Sequence, residues 1–138
     1  MRVSLSLGSS LAKYLFKKKF LSKERFPLVL MLEVTHLCNL ACEGCGRIRE
    51  YKETMREMLS VEECIQAVDE CPAPVVTVTG GEPLMHPEID KIISAIIEKK
   101  RHIYLCTNGI LLADAIKKLK PNKYFNINIH IDGLIKTH

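Results

Sequence analysis

Three cysteines stand close together at Cys38, Cys42 and Cys45, with three residues in the first gap and two in the second. Thiolates at that spacing can turn into a common volume and hold a soft metal or an iron–sulfur cluster. A structural zinc site usually wants four ligands in paired knuckles, and His36 is the neighbour that could complete one. A four-iron cubane held by only three thiolates has a different consequence, because one iron stays open to a small molecule. Further along, Gly80-Gly81-Glu82-Pro83 offers adjacent glycines that let backbone approach a ligand, beside a carboxylate able to complement an amine. Gly-Gly at that place also reads simply as a turn. Cys106-Thr107-Asn108-Gly109 and His130-Ile131-Asp132-Gly133 are two more polar stretches of the same kind.

Four strand-like runs lead into these four stretches. Leu28 to Glu33 is a continuous apolar run of strand length, as expected for a strand buried on both faces. After the cysteines, Ser60-Val61-Glu62-Glu63 is a capping-box pattern that opens a helix with Val61, Cys64, Ile65 and Val68 on one side. Pro72 and Pro74 stop it, and Val75 to Val78 is the second strand. A second helix is expected from near Pro87, with Ile89, Ile92, Ile93, Ile96 and Ile97 forming a core-facing stripe. Ile103 to Cys106 is the third strand, Leu112, Ala115, Ile116 and Leu119 mark a third helix, and Tyr124 to Ile131 is the fourth strand. Such alternation means βαβ units and a parallel sheet. In that architecture chemistry collects at the carboxyl ends of the strands, where all four stretches lie.

Composition narrows the class. The chain has 138 residues, 47% of them apolar and 26% charged, which suits one soluble globular domain with one modest core. No run reaches the roughly 20 apolar residues of a membrane span, and the N-terminal apolar stretch, broken by serines and followed by its lysines, is not a secretory signal. A reducing cytoplasm is the expected location, where six cysteines serve as ligands, thiols or fillers and not as a disulfide framework. The formal charge of +4 is concentrated in residues 1–25, a basic helical segment with Glu24 as its one acid. That segment reads as a solvated helix beside the domain or as a peripheral contact with an anionic inner-membrane surface. No nucleic-acid partner is expected.

The cysteine spacing after the first strand of a parallel sheet, with Gly-Gly-Glu-Pro after the second, resembles the radical S-adenosylmethionine (SAM) superfamily. From about Arg25 to Leu134 the chain is more closely similar to the adenosylhopane synthases of hopanoid biosynthesis. The similarity runs through Glu-Arg-Phe-Pro-Leu-Val-Leu-Met-Leu-Glu, Cys-Asn-Leu-Ala-Cys-Glu-Gly-Cys-Gly, Gly-Gly-Glu-Pro-Leu, Tyr-Leu-Cys-Thr-Asn and His-Ile-Asp-Gly-Leu. The residue before the third cysteine, often aromatic in the superfamily, is here Gly44, as in those synthases.

The resemblance implies a partial (β/α) barrel whose residues 26–138 form the N-terminal part of the core, ending after about four strands, before the barrel is complete. It implies a [4Fe-4S] cluster on Cys38, Cys42 and Cys45, and SAM held with the help of Gly80, Gly81, Glu82, Asn108, His130 and Asp132. The expected reaction is addition of a 5′-deoxyadenosyl radical to the alkene of a hopene lipid, with an external donor of the flavodoxin or ferredoxin class reducing the cluster. Addition leaves a tertiary carbon radical. Cys106 is the residue expected to quench it, because a thiol S–H bond is weaker than a tertiary C–H bond; a buried strand filler is the alternative reading. The polar strand ends at Asn108, His130 and Asp132 have an ordinary structural reading too. Other readings are a different radical SAM reaction or a non-catalytic iron–sulfur or metal module. Cys64 and Cys71 read as structural, and His36, His86 and His102 as surface or local hydrogen-bonding residues. Arg47 and Arg49 could offset cluster charge.

Overall fold

The architecture comes from a computed structural model that describes residues 4–21, 25–46, 53–131 and 133. Its elements are α1 (Leu5–Phe20), β1 (Val29–Thr35), α2 (Val61–Glu70), β2 (Val75–Gly80), a 3-10 turn (Pro83–Met85), α3 (Ile89–Glu98), β3 (His102–Thr107), α4 (Leu112–Ala115) and β4 (Phe125–Ile129). The four strands are parallel and ordered β1-β2-β3-β4. Each new strand joins the previous one and the order never reverses. Right-handed crossovers then put the helices on one face of the sheet. This is barrel winding, without the switch point of a doubly wound sheet. The sheet is open, with β1 and β4 at its edges.

Strand alternation gives the sheet two unlike faces. On the helix side Leu32, Val34, Val76, Val78, Ile103 and Leu105 form one core with Cys64 and Val68 of α2 and Ile89, Ile92, Ile93 and Ile96 of α3. Truncating a fully buried isoleucine such as Ile92 or Ile96 to alanine is expected to cost about 2–5 kcal/mol. The other face carries Glu33, Thr77, Thr79, Tyr104, Cys106, Asn126 and Asn128, none of them fully buried. A closed barrel would enclose that polar face.

Local chemistry explains the helix ends. Ser60 and Glu63 form both bonds of the capping box, and those bonds hold the Glu63 carboxyl below its usual range. Two expected boundaries differ. The second helix starts at Ile89, not near Pro87, because Pro83–Met85 coils into a 3-10 turn and His86 Nδ1 then accepts from Glu88 N, keeping Pro87 in the turn. The third helix is a single turn, since Lys117 and Lys118 donate to the carbonyls three residues back and the chain tightens before Pro121. Ile116 consequently stays 57% exposed instead of joining the core.

Helix α1 packs at the end where the strands begin. Ser4 caps it by accepting from Leu7 N, and Leu7 is its one buried residue. Ser10 Oγ lies 3.0 Å from Nε2 of His102, the first residue of β3. The Tyr14 hydroxyl donates to Pro27 O at 2.7 Å, and its ring meets Phe26 edge-on. Among the described residues no helix is long and apolar enough to cross a membrane.

Candidate active site

The loop after β1 delivers its thiols through a tight turn. Cys45 N donates to Cys42 O at 3.2 Å, with Gly44 at the third position of the turn and a φ of 80°. A side chain there would be strained, so glycine in place of an aromatic residue sets how Cys45 is presented. Cys38, Cys42 and Cys45 line one cavity of about 300 Å³. Thr79, Gly80 and Gly81 from the end of β2, Cys106, Thr107 and Asn108 from β3, and Asn128 and His130 from β4 complete it with Leu40. All four strands therefore contribute at their carboxyl ends. Cys106 is on the cavity wall, where its Sγ accepts from Asn128 Nδ2 at 3.8 Å.

Backbone contacts hold this rim together. Gly81 N donates to Thr35 O at 2.8 Å and Glu82 N to Leu37 O at 2.7 Å, stitching the turn after β2 to the residue before Cys38. A Cβ on Gly80 would be driven into the Thr35 carbonyl oxygen, and one on Gly81 into the Leu37 carbonyl. The glycine pair is thus required by close backbone approach within the protein.

Glu82 lies behind the wall. It is 1% exposed and does not line the cavity. One carboxylate oxygen accepts from Leu84 N (3.0 Å) and Thr107 Oγ1 (2.8 Å), the other from Asn108 N (2.8 Å). These charge-assisted bonds tie the end of β2 to the end of β3. Asn108 Nδ2 donates to Asn39 Oδ1 at 2.8 Å and closes the ring back onto the cysteine loop. In this geometry Glu82 acts as an internal brace between the ends of β2 and β3.

The remaining candidates sort as follows. His36 Nδ1 lies 3.0 Å from Thr54 O and 3.1 Å from Thr54 Oγ1, away from the cysteine cavity, so it is not presented as a fourth ligand. His86 and His102 are buried rather than surface residues, bonded to Leu59 O and Ser10 Oγ. Cys64 is fully buried, and desolvation pushes its thiol up to about 11, as suits inert core packing. Asp132, Arg47 and Arg49 lie outside the described residues. Thr79, Asn128 and Asn39 are the rim residues that sequence reading passed over. Asn126, Asn128 and His130 alternate along the fourth strand, a period-2 polar signal that marks the inward face.

The donor set fits an iron–sulfur cluster. Cys38, Cys42 and Cys45 line the same cavity. Three soft thiolates spread round a cavity suit a multi-iron group with a free coordination position.

Comparison with known proteins agrees. The family model of the radical SAM superfamily matches residues 32–134. The chain is 34% identical over 112 residues to the GTP 3′,8-cyclase of Clostridium perfringens (strain SM101 / Type A), covering 76% of this chain and 34% of that protein. It is 35% identical over 114 residues to the GTP 3′,8-cyclase of Aliarcobacter butzleri (strain RM4018), covering 78% and 35%. The chain thus spans about a third of the length of the curated relatives it matches. Among solved structures, SuiB of Streptococcus suis bound to S-adenosylmethionine superposes with a TM-score of 0.65 at 23% identity, over 98% of this chain and 31% of SuiB. That likeness shows the fold.

Proposed function

We propose, starting from the fact that this chain belongs to the radical SAM superfamily, that the protein uses a 5′-deoxyadenosyl radical to form a carbon–carbon bond with the alkene of a hopene-type lipid. The superfamily uses a [4Fe-4S] cluster and SAM. When bound, the cluster supplies the electron that cleaves SAM reductively, giving methionine and the radical that attacks the substrate. Cys38, Cys42 and Cys45 would hold the cluster. The backbone at Gly80 and Gly81 borders the same cavity, where its polar groups would orient the methionine part of SAM. Asn108 and His130 would hold its polar groups from the β3 and β4 sides.

The observation that carries this reading is Cys106, which lines the cavity shared by the cluster cysteines. It donates a hydrogen atom to the tertiary carbon radical of the adduct, forming a C–H bond and leaving a thiyl radical. An electron from a flavodoxin- or ferredoxin-class donor and a proton restore the thiol. Asn128 Nδ2, bonded to Sγ, fixes where the thiol points.

A second reading has its own observation. The curated relatives named above are GTP 3′,8-cyclases, so cyclisation of a purine nucleotide is the rival reaction. Anaerobic reconstitution followed by electron paramagnetic resonance with and without SAM comes first, and a signal that shifts on adding SAM is expected. Turnover is then compared with a hopene and with GTP. An adenosylated lipid supports the proposal, whereas a cyclised nucleotide and no lipid adduct replaces it with the rival. Cys106→Ala should leave SAM cleavage intact and lower the adduct yield or scramble its configuration; an unaltered product removes Cys106 from the mechanism.

A further inference from the structure

Helix α1 has a packed face and a face that no other described residue covers. Leu7, Ser10 and Tyr14 make the contacts that hold it to the domain. On the opposite side Leu5, Ala12, Phe16 and Phe20 fall in one line at helical spacing. Leu5 is 94% exposed, Phe16 66% and Phe20 74%. The Phe16 and Phe20 rings are 4.6 Å apart, so the line is continuous at its C-terminal half. Lys13 and Lys17 flank it on one side and Lys19 on the other, all three exposed, and the helix contains no acidic residue.

An exposed pair of adjoining phenylalanines of this kind marks an interaction surface. Charge selects among the partners. A second copy of the same face would set lysines against lysines across a two-fold axis, which is repulsive. A purely apolar protein surface would leave the three ammonium groups unanswered. Anionic lipid headgroups answer them, while leucine and phenylalanine enter the acyl boundary, the arrangement of an interfacial helix. We infer that the outer face of α1 docks this protein on an anionic bilayer surface. The docking site lies at the end where the strands begin, opposite the cysteine cavity, so it tethers the protein without pressing the cavity mouth against lipid. The inference does not depend on which substrate is used.

The test is flotation of the full chain with vesicles of phosphatidylcholine alone or of phosphatidylcholine with phosphatidylglycerol. Binding is expected only to the anionic vesicles and should weaken as salt is added. Phe16→Ser with Phe20→Ser should lower binding by about tenfold or more, with unchanged circular dichroism because both side chains face water. Lys13→Gln with Lys17→Gln and Lys19→Gln should abolish the preference for phosphatidylglycerol. Failure to float overturns the inference, as does equal binding to both vesicles that the variants leave unchanged. Self-association that the double phenylalanine variant abolishes, in place of vesicle binding, assigns the face to a second copy and also overturns it.

Discussion

The two ends of the sheet are built on different principles. At the carboxyl end, the loops after β1, β2 and β3 are laced by backbone bonds from Gly81 and Glu82, by three bonds to one buried carboxylate, and by the Asn108–Asn39 pair. At the amino end, α1 is held by one buried leucine, a histidine–serine contact and a tyrosine hydroxyl. The first arrangement ties the backbone leading into and facing the cysteine loop together around the cavity. The second only closes the end of the polar face and leaves one helix side in water. Rigidity here is concentrated where positioning matters, since preorganised sites depend on packed and hydrogen-bonded support.

Gly81→Ala should break the contrast most severely. The added Cβ meets the Leu37 carbonyl, with the His36 carbonyl close behind, and both are backbone that cannot swing aside. A cost of about 1–3 kcal/mol is expected from overpacking alone, with loss of iron binding because the displaced segment leads directly into Cys38. Thermal melting and iron content after reconstitution measure the two effects. Normal iron content would mean that the cysteine loop is positioned independently of the β2 turn.

Glu82 sharpens the comparison next. Glu82→Ala removes every acceptor for Leu84 N, Asn108 N and Thr107 Oγ1, and should cost about 2–4 kcal/mol as buried donors lose their partners. Glu82→Gln keeps the shape and one carbonyl oxygen and should lose roughly half as much. Equal stability of the two variants in urea would show that the brace contributes no more than volume.

These contacts also mark how far the sequence was legible. Apolar runs and helical stripes located four strands and the core-facing residues of α2 and α3, because those signals are local in the chain. The polar stretches after the strands all fall at one rim, because parallel winding leaves them nowhere else. What local pattern could not supply was the use of the glycine pair and of Glu82. Their partners lie more than 20 residues away in Thr35, Leu37, Thr107 and Asn108, and a Gly-Gly-Glu string reads the same whether backbone or ligand fills the space. The helix expected around Leu112 to Leu119 is present but only one turn long, and Ile116 finds no core to enter.

The smallest expected effect belongs to the amino end and is read with pH. His102 is fully buried, its Nε2 engages Ser10 Oγ, and its Nδ1 is buried without a hydrogen-bond partner. A bare lone pair is cheaper to bury than an unpaired N–H, which assigns the proton of the neutral ring to Nε2. Burial accordingly holds the His102 pKa below its ordinary value of 6.5. As pH falls the unfolded chain binds the proton first. Stability from this residue is therefore complete above about pH 6.5 and is lost progressively as the solution is acidified below it. His102→Phe keeps a ring against Tyr124 and removes the titration, so its melting temperature should lose this acid dependence while starting lower at neutral pH for want of the Ser10 bond. The same acid slope in wild type and variant would remove His102 as its source and would erase this difference between the two ends of the sheet.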